Sequence, residues 1–295
     1  MKKKTFFIHL AVVALSVILF LYTFAGLKQL YAKDVFLRDL KSLLREEFKN
    51  QKIEYAFVIK KLGFLDPTLL HKANQQFPAA SLVKLPILAA AFYAVKEKKI
   101  SLEKLVTIRR KDIAGGSGKL KSLSLPRKFT FAQLLELMIS LSDNSATNKV
   151  IEILDLKYIN SIFKRLGLTD TTLVRKMMDF SQRKNGIENY TSAADISYLL
   201  EKIYKEKFVN KKLSKLALSF LMKQKVNDRL PRYLPAEVIV AHKTGLERGV
   251  VHDAGIVFTS NGDYLICVLV KGGKNYAQAK KFIAQLSLLA YNLYQ

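Results

Sequence analysis

The stretch that most constrains this chain is Phe77-Pro78-Ala79-Ala80-Ser81-Leu82-Val83-Lys84-Leu85-Pro86, which opens an apolar run reaching Val95. An apolar segment of that length reads as a buried helix, and residues three apart on a helix share a face. Ser81 and Lys84 therefore stand side by side at its mouth. The serine hydroxyl falls in the first turn, at the positive end of the helix dipole. An unprotonated amine beside it can take the hydroxyl proton and leave a nucleophile. Spacing alone carries little, because Ser81/Lys84, Ser101/Lys104, Ser161/Lys164 and Ser181/Lys184 all match Ser-x-x-Lys. In so lysine-rich a chain such pairs are ordinarily surface decoration. Only the Ser81 pair follows an extended Phe-Pro entry and precedes a long apolar helix pattern, Leu82 to Val95.

With 295 residues, half of them hydrophobic, the chain is long and apolar enough for one large domain or two intertwined smaller ones, and it is not disordered. Its formal net charge of +25 points to anionic surroundings: nucleic acid, acidic lipid or a polyanionic polymer. The basic residues are scattered rather than striped, and neither zinc-finger cysteines nor an RNA-binding aromatic signature accompanies them. A generally basic surface is the reading, with no nucleic-acid partner. Lys2, Lys3 and Lys4 precede an apolar run from Phe6 to Ala25, long enough to span a bilayer as a helix. Residues 1–32 are expected to be a cytoplasmic tip and single transmembrane anchor, leaving the body from residue 33 outside the cell. The alternative is a cleaved secretory signal and a secreted protein, for which Thr23-Phe24-Ala25 and Leu30-Tyr31-Ala32 are poor cleavage sites. The sole cysteine, Cys267, lies in a strand-like run, so no disulfide and no lipid attachment site is expected.

Val35 to Phe48 reads as an amphipathic helix and Ile53 to Ile59 as a strand. His71 to Phe77 leads into the Ser81 helix, and from there to about Met222 the pattern is helical and interrupted by loops, with Phe131 to Leu141, Leu156 to Leu166 and Ser192 to Tyr204 as helices and a polar segment, Arg175 to Tyr190, between the last two. Gly115-Gly116-Ser117-Gly118 is a loop whose resemblance to a phosphate-binding loop fails, since Ile113 and Leu120 occupy its required positions. Glu237 to His242 is a strand ending in Lys243-Thr244-Gly245. Val250 to Phe258 and Tyr264 to Val270 are strands joined by a hairpin at Asn261-Gly262, and Ala277 to Tyr294 is a closing helix. Strands at both ends with helices between them imply an α+β fold, an antiparallel sheet flanked by helices. The expected lobes are α/β (33–80 plus 225–295) and an inserted all-α lobe (81–224), preceded by the membrane helix, with a site in the cleft between them.

Three signals fall in order: Ser81-x-x-Lys84, Ser142-Asp143-Asn144 and Lys243-Thr244-Gly245. This order resembles the serine beta-lactamases and penicillin-binding proteins. Phe-Pro-Ala-Ala before Ser81, the run Asn144-Ser145-Ala146-Thr147-Asn148 and the glycine-containing loop before Thr191 resemble class A beta-lactamases in particular, over roughly Val35 to Gln295. The resemblance implies the serine beta-lactamase and DD-peptidase fold and an acyl-enzyme mechanism. Ser81 is then the nucleophile and Lys84 its base, active if desolvation and the second lysine, Lys243, lower its pKa. Ser142 passes a proton to the leaving nitrogen, Asn144 holds Lys84 and the substrate amide, and Thr244 binds the substrate carboxylate beside Gly245. The backbone N–H groups of Ser81 and Leu246 form the oxyanion hole. Asp143 is expected to be structural, turned inward to hold its loop. No cofactor is implied, and four scattered histidines without carboxylate partners make no metal site. For His252 a structural role is preferred over substrate binding.

One position departs from the family pattern. Class A beta-lactamases carry a deacylating glutamate two residues after the loop-opening arginine; if that arginine is Arg175, the position holds Met177, whose thioether cannot abstract a proton. Glu188 matches the carboxylate that closes the loop on Arg175, which leaves Asp179 as the spare. The expected activity is acylation by beta-lactams with slow deacylation. A peptidase or transpeptidase acting on cell-wall peptides is the nearest alternative. A third is a non-turnover penicillin sensor or wall-tethering module, whose positive charge would suit anionic wall polymers.

Overall fold

The computed structural model describes residues 31–48, 53–63, 68–273 and 275–295, together with Leu15, Ser16, Phe20, Thr23 and Gly26. The expected membrane helix therefore lies, but for isolated positions, outside the described residues; among these, no helix is long and apolar enough to cross a membrane.

Three long strands near the carboxyl end and two near the start make one antiparallel sheet. They are β1 (Ile53–Lys61), β2 (Thr68–His71), β7 (Ile239–Glu247), β8 (Val250–Phe258) and β9 (Tyr264–Gly272), in the order β2-β1-β9-β8-β7. Successive side chains of a strand point to opposite faces, and the sequence obeys that period of two. Ala56, Val58, Ala254, Ile256, Leu265, Cys267 and Leu269 enter one core, and Phe57, Ile59, Val257, Tyr264, Ile266, Val268 and Val270 the other.

The second core is closed by two helices. α1 (residues 31–47) supplies Phe36, Leu40 and Leu43 at helical spacing, and α9 (Tyr276–Tyr294) supplies Phe282, Ile283 and Leu286. Phe36 meets Phe57 edge-on at 6.4 Å, and Phe48 meets Phe282 at 5.2 Å.

The first core is built around α2 (Lys84–Lys96). Ten of its residues are buried, from Lys84 through Ala94, so it is enclosed on every side, as a helix apolar all round must be. Ala89, Ala90 and Ala91 keep its middle slender, which lets other helices approach closely. These are α3 (Phe131–Ser140), α4 (Asn144–Leu154), α5 (Leu156–Arg165) and α7 (Ala193–Tyr204). Pro86 is tolerated because the first turn needs no N–H there. A short helix, α6 (Phe180–Lys184), and α8 (Lys211–Met222) complete the set.

The structure differs from the sequence expectations in three places. α7 and α8, placed by sequence in the all-α lobe, both lie against the main sheet. Apart from that sheet there are two small antiparallel pairs, β3 (Phe77–Pro78) with β6 (Tyr190–Thr191) and β4 (Leu105–Ile108) with β5 (Arg127–Thr130), too short to leave a periodic signal. Lys243-Thr244-Gly245 lies within β7 rather than beyond its end, because pairing with β8 continues to Glu247 opposite Val250.

Candidate active site

Ser81 sits in a single 3₁₀ turn, Ala80–Val83, that feeds directly into α2. In a 3₁₀ turn residues i and i+3 eclipse, so Ser81 and Lys84 stand one above the other. Ala80, immediately before the serine, has φ +45°, a left-handed backbone that costs a non-glycine residue about 1–3 kcal/mol. Ser142, at φ +52°, carries the same cost at the turn between α3 and α4. Gly245 on β7 passes close to both walls: a Cβ there would lie 3.1 Å from His252 Cβ and 3.5 Å from Ala80 Cβ.

The three motifs meet at Ser142. Lys84, fully buried, places Nζ 2.7 Å from the Ser142 carbonyl, 2.8 Å from Asn144 Oδ1 and 3.1 Å from Ser142 Oγ. Lys243, also fully buried, donates to Ser142 Oγ at 3.0 Å and to the Thr244 carbonyl at 2.8 Å. The Ser142 hydroxyl thus lies between two amines. Burial lowers the Lys84 pKa well below that of an ordinary lysine, the Lys243 charge lowers it further, and Asp143 opposes the shift. Lys243 is lowered to about 7, again chiefly by burial, with Asp253 raising it and Arg229 lowering it. A neutral Lys84 donates its two N–H groups to the Ser142 carbonyl and Asn144, and its lone pair then faces a hydroxyl proton.

Asp143 holds the frame. Its Oδ1 accepts from Ala146 N at 2.9 Å, capping α4, and Oδ2 accepts from Lys119 N and Leu120 N at 2.7 and 2.9 Å. The glycine loop that resembled a phosphate-binding loop serves this frame instead: Asn144 Nδ2 donates to the Gly115 carbonyl at 2.9 Å, and Asn144 N to Ser117 O at 3.0 Å.

In front of these groups lies a cleft of about 910 Å³. Of the residues singled out from sequence, Ser81, Asn144, Leu246, Arg175 and Glu188 line it. Lys84, Ser142 and Lys243 are buried and do not line it, and Thr244 is buried on β7 beside Gly245. Asp179 does not line the cleft; its Oδ1 accepts from Gln182 N at 3.1 Å, capping α6. Met177 does line it, in the position the sequence pattern assigns to a carboxylate.

Arg175 Nη2 lies 2.6 Å from Glu188 Oε1 and 2.9 Å from Glu247 Oε1, and Arg183 reaches the same two carboxylates at 3.1 and 3.2 Å. Sequence reasoning missed Glu247, Arg183 and Arg229, and gave Asn148 no role beyond its place in the run after Asp143. Arg229 is buried, with Nε lacking an acceptor among the described residues, and its charge acts on both Lys243 and His252. Two histidines needed the structure to be read. His242, expected to lack a carboxylate partner, lies 2.9 Å from Asp253 Oδ1 through Nδ1. His252 accepts at Nδ1 from Val270 N and lies 2.9 Å from the Pro78 carbonyl through Nε2. Burial lowers its pKa to about 4, so it is a neutral strut between β8, β9 and the segment leading to Ser81.

The comparisons with known proteins agree with this arrangement. The family model described as the beta-lactamase enzyme family matches residues 38–294. The chain belongs to that family. It is a serine enzyme of the beta-lactamase type. A beta-lactamase from Bacteroides uniformis is 24% identical, over 76% of this chain and 81% of its own length. A solved beta-lactamase from Sphaerobacter thermophilus superposes with a TM-score of 0.78 at 26% identity, covering 86% of this chain and 95% of that one. PBP-A superposes with a TM-score of 0.77 at 30% identity, covering 86% and 95%. A substituted form of PBP-A has been solved as an acyl-enzyme complex with penicillin G.

Proposed function

We propose that Ser81 opens the beta-lactam ring to form an acyl-enzyme, and that hydrolysis of that intermediate is the slow step. The observation that carries the reading is the buried line of Lys84, Ser142 and Lys243, with Lys84 three residues after a cleft-lining serine. Ser81 Oγ attacks the lactam carbonyl carbon as its proton passes to neutral Lys84. The oxyanion that develops is held by the backbone N–H groups of Ser81 and Leu246. As the C–N bond breaks, the nitrogen takes the Ser142 proton, and Ser142 is reprotonated from Lys84, 3.1 Å away. Lys243 and Thr244 hold the substrate carboxylate, and Asn144 the amide. Intact mass after mixing with penicillin, followed over time, tests this. A slowly decaying adduct that maps to Ser81 and is absent from Ser81→Ala supports it; labelling at Ser101, Ser161 or Ser181 overturns it.

A second reading, a peptidase acting on D-Ala-D-Ala cell-wall peptides, is favoured by the apolar Met177 in the cleft and by the likeness to PBP-A. Release of D-alanine from such a peptide by wild type but not by Ser81→Ala separates the two. In either case we place the body outside the cell, held by Phe6 to Ala25 as a membrane anchor and attracted by its net charge of +25 to anionic wall polymers. Recovery of the full chain in the soluble fraction of broken cells would overturn the anchor.

A further inference from the structure

This inference rests on the acyl-enzyme reading and concerns the substrate group that enters beyond Ser81. Two large apolar side chains stay open to solvent in the cleft walls, Phe180 of α6 at 47% exposure and Leu246 of β7 at 46%, and Met178 lines the same space. Four cations also line it, Arg175, Arg183, Lys184 and Arg248, against the two carboxylates Glu188 and Glu247. Both carboxylates are already shared by Arg175 and Arg183. Lys184 and Arg248 are exposed and have no ion-pair partner among the described residues. They come from opposite walls, Lys184 from the end of α6 and Arg248 from the turn between β7 and β8. Arg183 ties those walls together by donating to the Arg248 carbonyl at 2.9 Å.

We propose that this mouth selects acyl groups in which an aromatic or aliphatic body carries a carboxylate. The body leaves water against Phe180, Leu246 and Met178, while the carboxylate meets the two unpaired cations. An amino group at the same place meets like charge and is disfavoured.

The test compares second-order acylation rates for benzylpenicillin, its α-carboxyl analogue carbenicillin and its α-amino analogue ampicillin, which share one bicyclic core and one phenyl ring. Carbenicillin is expected to be fastest and ampicillin slowest. Exposed ion pairs are each worth a few-fold, so the spread should be about three- to tenfold. It should shrink by about half or more in roughly 0.5 M sodium chloride, where exposed charges are screened. Each rate is referred to benzylpenicillin on the same variant, which cancels differences in overall reactivity between variants. On that scale Lys184→Glu and Arg248→Glu should each narrow the order, and the two together should invert it. A spread indifferent to salt and to charge reversal overturns the preference while acylation itself stands. Absence of any adduct with all three compounds overturns the acyl-enzyme reading, and the preference with it.

Discussion

The backbone N–H of Met177 donates to the Asn148 side-chain oxygen at 2.8 Å, and the Asn148 amide donates back to the Met177 carbonyl at 3.1 Å. This two-way tie fastens the loop to α4, the helix whose first residue, Asn144, contacts Lys84. Met177 is thereby held with only 8% of its surface exposed, and its thioether can take no proton from a hydrolytic water.

The first prediction follows from that tie. Met177→Glu places a carboxylate where the backbone is already fixed, so the acyl-enzyme should decay faster, by up to about 10²–10⁴-fold if the new group acts as a general base. Time-resolved intact mass reads the lifetime directly. Asp179→Asn should leave it unchanged, because Asp179 is committed to capping α6. An unaltered lifetime in Met177→Glu would show that this loop does not control the water.

The buried lysines predict a pH profile. Acylation needs Lys84 neutral, so its efficiency should rise with pH as Lys84 loses its proton. It should fall on the alkaline side as Lys243, with a pKa of about 7, gives up the charge that holds the substrate carboxylate. Lys243→Arg keeps a positive charge and should remove the alkaline limb. Lys243→Ala removes the charge that lowers Lys84, moving the acid limb to higher pH. The sign for stability is the same throughout: below pH 7 Lys243 is charged in both folded and unfolded chains, and the cost of burying it is present in full. Between about 7 and the ordinary lysine range the unfolded chain binds more protons, so stability should rise with pH. Urea midpoints across that range, compared with Lys243→Ala, check it.

How much of this was legible in the sequence depends on how local each feature is. Ser81 and Lys84 are one turn apart, and Ser142-Asp143-Asn144 is contiguous, so both could be read as written. The two runs Val250 to Phe258 and Tyr264 to Val270, split by Asn261-Gly262, could be read as paired strands, but both are apolar on each face, so which core each residue enters needed the structure. Features that failed to show are those made by distant chain segments. Glu247 meets Arg175 across a separation of 72 residues, and nothing in Leu246-Glu247-Arg248 announces that partner. Asn148 closes the run that carries the family resemblance, but its tie to Met177 spans 29 residues, and Arg229 is one cation among many. The glycine loop at 115–118 was recognised as a loop, but its purpose needed Asp143 and Asn144 beside it.

The shared ion pairs of the loop predict a graded loss. Arg175 is 4% exposed and serves both Glu188 and Glu247, so Arg175→Ala leaves two carboxylates short of a partner. Breaking a buried pair from one side costs about 3–5 kcal/mol. Glu247→Gln should cost less, because Glu188 remains with Arg175 and Arg183. Hydrogen exchange over residues 176–187 should quicken strongly in the first variant and weakly in the second. Equal protection in both would mean that the clamp does not order the loop.

A final prediction separates the frame of the site from ordinary backbone strain. Gly118 has φ +127°, and a Cβ there would fall 2.3 Å from Asp143 Cγ and 2.7 Å from Asp143 Cα. A flexible side chain could swing aside, but Cα cannot, so Gly118→Ala must move the turn that carries Ser142, Asp143 and Asn144. Gly167, just past α5, also has positive φ, at +75°, yet a Cβ there meets nothing within 4 Å. Gly167→Ala should therefore cost only the left-handed strain, about 1–3 kcal/mol, and leave the acylation rate of the folded protein unchanged. Gly118→Ala should cost more, and it should also slow acylation by an order of magnitude or more, since the hydroxyl between Lys84 and Lys243 is displaced. Urea midpoints and acylation rates measured together distinguish the two. If both variants lose stability alike and acylate alike, Asp143 does not position Ser142 in the way its three backbone hydrogen bonds imply.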